Sequence, residues 1–82
     1  MKDFLYYIVK GIVKNEDSID IVEEKSEDSS INLKLSVDKE DMGLIIGKEG
    51  RIIKSIRNLL KAKAIKEDVR TNLELVEIDS TN

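Results

Sequence analysis

An 82-residue chain with a formal net charge of −3 and neither cysteine nor histidine makes one small domain, burying about 60 to 65% of its unfolded surface. A core of that size leaves no deep cavity for a large cofactor, so a ligand is expected in a surface groove. Lack of cysteine excludes disulfides and thiolate metal sites and suits a reducing compartment, the cytoplasm.

In chain order, Leu5, Ile8, Val9 and Ile12 recur at helical spacing, with Phe4 and Val13 at the margins, and predict an amphipathic helix over 2–14. Lys10 interrupts this segment, and no basic lead or small-residue cleavage site accompanies it, so it is neither a signal peptide nor a membrane span. Asn15-Glu16-Asp17 is expected to end it. Ile19 and Ile21, then the strict alternation Ile31, Leu33, Leu35, Val37, predict two antiparallel strands around the polar turn Lys25 to Ser29. Asp38, with Asp41 three residues later, resembles a capping arrangement and starts a short helix carrying Met42 and Ile45 towards Gly47. After Gly47 and Gly50 comes a helix over 51–66. A last strand follows from the alternation Val69, Thr71, Leu73, Leu75, with a bulge or fraying expected where Leu75 and Val76 break the period. The order is α-β-β-α-α-β: an α+β domain whose three-stranded sheet is covered by helices on one face. The last strand must join after two helices have crossed over, and a right-handed connection is expected. The domain is expected to fill 1–79, leaving 80–82 as a disordered tail.

Chemistry concentrates at Ile45-Ile46-Gly47-Lys48-Glu49-Gly50-Arg51. Two glycines let the main chain turn tightly and come close to a phosphodiester. The helix that follows points its unpaired N–H groups and the positive end of its dipole at the same place, where Lys48 and Arg51 add full charges. Glu49 opposes them, so modest affinity is expected. From Lys48 to Arg70 there are eight basic and three acidic residues, while the remainder carries six and fourteen. This polarised chain attracts phosphate in one region and repels it elsewhere. At about 100° per residue, Ile52, Ile53, Ile56, Leu59, Leu60 and Ala64 form the expected core face of helix 51–66. Arg51, Lys54, Arg57 and Lys61, with Ser55 and Asn58, form the other. Lys63 falls in the apolar arc and is expected to snorkel.

The ordered set Ile46, Gly47, Gly50, Ile53, Lys54, Ile56 resembles the KH domain, in its bacterial, type II-like arrangement. The run Asp41 to Arg51, the length and the lead-in helix resemble the KhpA family of small bacterial single-KH proteins. That resemblance implies a non-enzymatic protein that clamps single-stranded RNA and acts as a global RNA binder or chaperone of low sequence specificity. It implies a homodimer or a heteromer with a Jag/KhpB-like KH protein, and an influence on cell division and cell shape. The RNA-binding candidates are Gly47, Lys48, Glu49, Gly50, Arg51, Lys54 and Arg57, with Met42, Gly43, Ile45 and Ile46 in the groove beside the clamp. Arg57 and Lys61 are expected to steer RNA without touching it.

Other readings fail on residue type. The aromatics are Phe4, Tyr6 and Tyr7, all on the first helix, whereas an RRM or an oligonucleotide-binding barrel stacks bases on strand aromatics. Gly43 to Lys48 lacks the P-loop spacing: three residues, not four, separate the glycines, and Glu49 follows the lysine. Glu23, Glu24, Glu27 and Asp28 sit in or beside a turn with no apolar pocket to tune them for acid–base work, and no metal, cofactor or small-molecule substrate is expected. The competing reading is a protein-interaction or ribosome-associated adaptor that uses the same scaffold without binding RNA directly.

Overall fold

Both apolar periodicities converge on one core in a computed structural model, which describes residues 1–76. The expected domain end at 79 and the tail 80–82 lie outside the described residues. The first helix, α1 (Lys2–Lys10), buries Leu5 and Val9. It stops four residues short of the expected end because Gly11 is its C-cap, donating to the Ile8 carbonyl at 3.2 Å. Glycine is a poor helix former, and this one breaks the run. Ile12 and Val13 still pack on the core, with their N–H groups turned back to the Val9 carbonyl at 2.9 and 3.1 Å. A single 3-10 turn, Glu16–Ser18, follows.

Strands β1 (Asp20–Lys25) and β2 (Ser30–Ser36) pair antiparallel, Ile21 opposite Leu35. Ser29 takes the left-handed conformation in the tight turn between them. Helices α2 (Lys39–Ile46) and α3 (Arg51–Lys66) then cross over to β3 (Arg70–Leu75), which lies parallel to β2, Leu33 beside Leu73. The sheet order is β1-β2-β3. No bulge forms at Leu75, and Val76 still donates to the Leu35 carbonyl at 2.8 Å. Leu33, Leu35, Val37 and Leu73 meet Leu5, Val9, Ile45, Ile53, Ile56 and Leu60 in the core. Across the opposite sheet face run polar side chains: Asn72 donates to Asn32 at 3.0 Å and Asn32 to Glu24 at 3.4 Å.

Asp38 caps α2, accepting from the Glu40 N–H at 2.8 Å. Asp41 has a different task from the reciprocal cap that its spacing suggests. Its fully buried carboxylate accepts from the backbone N–H groups of Lys14 and Asn15, at 3.1 and 2.9 Å, and from the Asn15 side-chain amide at 3.0 Å. It thereby ties the segment after α1 to α2. Burial pushes its pKa up, but these donors together outweigh burial and hold it below the ordinary 3.8. Stability drawn from a depressed carboxylate is present above the unfolded value and lost as pH falls through the folded one. Asp41→Asn should therefore melt below the parent at pH 7, and the gap should close below about pH 4. Thermal melts across that range check it.

Candidate nucleic-acid interface

The turn between α2 and α3 is built from left-handed backbone. Gly47 caps α2 at φ 67°, ψ −175°, its N–H bonded to the Gly43 carbonyl at 2.8 Å. Lys48–Gly50 forms a 3-10 turn in which Glu49 stands at φ 57°. Gly50, at φ 73°, is the N-cap of α3. The two glycines differ in what demands them. A Cβ on Gly47 would lie 2.6 Å from Ile52 Cγ1, whereas one on Gly50 would come no closer than 3.9 Å to Ile53. Gly47 is thus required by the packing beneath the turn as well as by its backbone angles. Among the described residues no side chain caps α3, and its first turn carries no acid, so by helix geometry the N–H groups there are open to an external anion. Arg51 extends beside the turn, and its guanidinium lies 3.6 Å from the Glu49 carboxylate, both side chains largely in solvent. A contact this exposed is weak and leaves the arginine able to exchange partners.

Gly43 lies inside α2 with an exposed surface, and a Cβ there would meet nothing within 4 Å. Nothing in the described fold requires glycine at that position. Beside it, the structure corrects the expected groove lining. Ile45, expected in the groove, is fully buried and supports it from below, while Ile46, expected there too, is 42% exposed. Met42 is half-buried against the core. The reason is helical phase: α2 has eight residues, and only Asp41 and Ile45, four apart, face fully inwards.

Helix α3 has three faces where two were expected. Ile53, Ile56, Leu60 and Ala64 are buried. Ile52 and Leu59, assigned to the core, are 36% and 48% exposed. They sit at the edge of the apolar arc, roughly 90° from its centre at 100° per residue, on the flank away from Lys54, Arg57 and Lys61. Ser55 is exposed and lies between that flank and Arg51, about 40° from Leu59 and from Arg51. Lys63 does snorkel, with its ammonium 2.9 Å from Glu67 and over the Phe4 ring at 5.3 Å. That bond holds the Glu67 carboxyl below its ordinary range.

Lys54 is exposed on the first turns of α3. Arg57 is turned to the sheet, donating to the Leu73 carbonyl at 3.4 Å. On α1, Tyr6 donates to Glu16 at 3.0 Å, which raises the pKa of its phenol, while Tyr7 is 70% exposed. Sequence reasoning missed the Asp41 tether, for which no local signal exists because its partners lie 26 and 27 residues away. The marginal phase of Ile52 and Leu59 was a usable signal for their exposure.

An α-β-β-α-α-β chain with a mixed three-stranded sheet, helices on one face and a Gly-x-x-Gly turn joining two of them is a KH domain. The KhpA/KhpB KH-domain family model matches residues 2–75, and the chain belongs to that family. Among its relatives, the RNA-binding protein KhpA of Chlamydia pneumoniae is 47% identical over 77 residues, covering 94% of this chain and 97% of the relative. KhpA of Listeria monocytogenes is 44% identical over 77 residues, 94% of this chain and all of the relative. KhpA of Clostridium acetobutylicum is 45% identical over 76 residues, 93% and all. Among the described residues no helix is long and apolar enough to cross a membrane.

Proposed function

We propose that this chain is a cytoplasmic, non-enzymatic module that holds single-stranded RNA by its backbone at residues 47–51. The observation that carries the reading is the turn itself: left-handed backbone opening onto the uncapped, acid-free start of a 16-residue helix, with arginine beside it. The names of the relatives supply RNA as the ligand. Lys48, Arg51 and Lys54 contribute charge, and Met42, Gly43 and Ile46 floor the adjoining groove. With no aromatic side chain on any strand, base reading rests on apolar contact and hydrogen bonds, which suits a global binder or chaperone of low specificity. Amide chemical-shift mapping with an oligoribonucleotide tests this. Residues 47–51 should move, and the logarithm of affinity should fall with log salt at a slope of roughly −1.5 to −3, for two to four neutralised phosphates. Shifts confined to other surfaces would leave the adaptor reading in its place.

Gly43 offers a separate test of the groove. Alanine should stabilise the free protein by up to about 1 kcal/mol, since helix propensity improves and no clash arises. If an RNA strand passes over that open position, affinity falls in the same variant. Urea melts and RNA titration of Gly43→Ala measure the two effects; a stabilised variant with full affinity removes Gly43 from the site.

A single clamp holds few nucleotides, so two clamps on one strand raise avidity without new contacts. Ile52 and Leu59, seven residues apart and exposed on α3, have the spacing of a helix–helix seam. They support pairing with a second copy or with a Jag/KhpB-like KH protein. Leu59→Glu should convert a dimer to monomer in sedimentation; an unchanged dimer places the seam elsewhere.

A further inference from the structure

Among the described residues, Asp41 is the one charged side chain that is fully buried. A buried charge is a costly way to stabilise a core, since an apolar side chain of similar size fills the space without desolvation; what it can do is fix one arrangement among several. Its place on α2 gives it that task. The helix has eight residues and turns only Asp41 and Ile45 fully inwards, so Ile45 is its one fully buried apolar anchor. Apolar burial is non-directional and does little to set the roll of a short helix about its axis. Hydrogen bonds have direction. The N–H groups of Lys14 and Asn15 and the Asn15 amide all meet the Asp41 carboxylate, and they come from a segment that Ile12 and Val13 seat on the core. Asn15 also donates to Glu40 at 3.2 Å, so one amide holds both carboxylates of the first turn of α2.

The roll of α2 places the groove. Met42 and Ile46, four residues apart, form the stripe next to Asp41 and Ile45, about 100° round the helix. The helix ends at Gly47, about 9 Å from Asp41 at 1.5 Å per residue. A roll of about 20° would carry a side-chain tip, about 5 to 6 Å from the axis, through about 2 Å. We propose that Asp41 is a positioning residue for RNA binding: with Asn15 it fixes the roll of α2, and through it the placing of Met42, Ile46 and the turn at Gly47. This rests on the RNA reading above. Fully buried, Asp41 itself touches no RNA.

Asp41→Asn in the full chain separates positioning from two simpler effects. Loss of a negative charge near the turn would by itself tighten RNA binding, and a purely structural role would leave affinity unchanged wherever the variant is folded. Positioning predicts weaker binding by folded protein. Affinity for an unstructured four-nucleotide RNA is measured by fluorescence anisotropy at a temperature where circular dichroism shows each variant folded. It should fall about five- to tenfold, and amide shifts of residues 42–47 should move in the free protein. Ile21→Ala, on β1 and outside α2 and the segment that holds it, should melt lower than the parent yet keep parental affinity. Asn15→Ala keeps both backbone donors and should weaken binding about threefold; added to Asp41→Asn it should cost little more, because the two side chains belong to one network. If Asp41→Asn does not fold, Asn15→Ala decides the question alone. Parental or tighter binding by a folded variant overturns the inference, as does an equal loss in Ile21→Ala, or losses at 15 and 41 that simply add. Failure of the RNA reading looks different: the parent does not bind, and changes at residues 48 and 49 have no effect.

Discussion

A chain carrying Lys48→Asp together with Glu49→Asp should keep its fold and lose affinity for single-stranded RNA by one to two orders of magnitude. Local charge at the turn changes by two units, all of it from position 48. A carboxylate then occupies the end of α3 where the helix dipole favours an anion, competing with phosphate for the same N–H groups. The fold should tolerate the pair because residue 49 already stands at φ 57°, a conformation that aspartate enters more readily than glutamate. Melting within a few degrees of the parent, together with lost binding in a filter or anisotropy titration, is the expected combination. Unchanged affinity in a folded variant would mean that RNA is held elsewhere.

Gly47→Ala should act in the opposite way, on stability before binding. Two costs add. At φ 67° and ψ −175° the backbone occupies a region kept almost entirely for glycine, and the new methyl would press on Ile52 Cγ1 at 2.6 Å. Together they cost roughly 3 kcal/mol, a large part of the about 4 to 12 kcal/mol expected for 82 residues. In a domain of this size the melting temperature should fall by about 12 to 24 °C. Gly50→Ala is the internal control: its left-handed angle costs about 1 kcal/mol, but no atom crowds the added methyl. Equal losses at the two glycines would show that Ile52 yields easily and that packing does not specify Gly47.

The fold was legible where periodicity is long and unbroken. The alternation Ile31, Leu33, Leu35, Val37 marked β2, and the spacing Ile53, Ile56, Leu60, Ala64 marked α3, because each pattern repeats often enough to outweigh local exceptions. Gly47 and Gly50 marked the turn through their spacing and neighbours. Three matters escaped. Gly11 ended α1 early, yet its apolar successors Ile12 and Val13 kept the helical rhythm while packing from a loop. Asp41 looked like a local cap because spacing along the chain carries no record of Lys14 and Asn15 arriving from afar. Ile52 and Leu59 were counted as core because hydrophobicity reports what a side chain can bury, not what covers it. In the candidate site the same limit put Ile45 in the groove beside Ile46: two adjacent isoleucines are equivalent in composition and differ by 100° on a helix.

The parallel pairing of β2 with β3 has a consequence in time. Residues 47–51 lie inside the crossover that joins these neighbouring strands, so their shape is fixed by partners separated by some forty positions, such as Leu33 and Leu73. During synthesis at about 5 to 20 residues per second, the turn emerges seconds before the strand that braces it. Nascent chains should therefore gain their hold on RNA late and all at once, when β3 docks, and a chain stalled before Arg70 should have none.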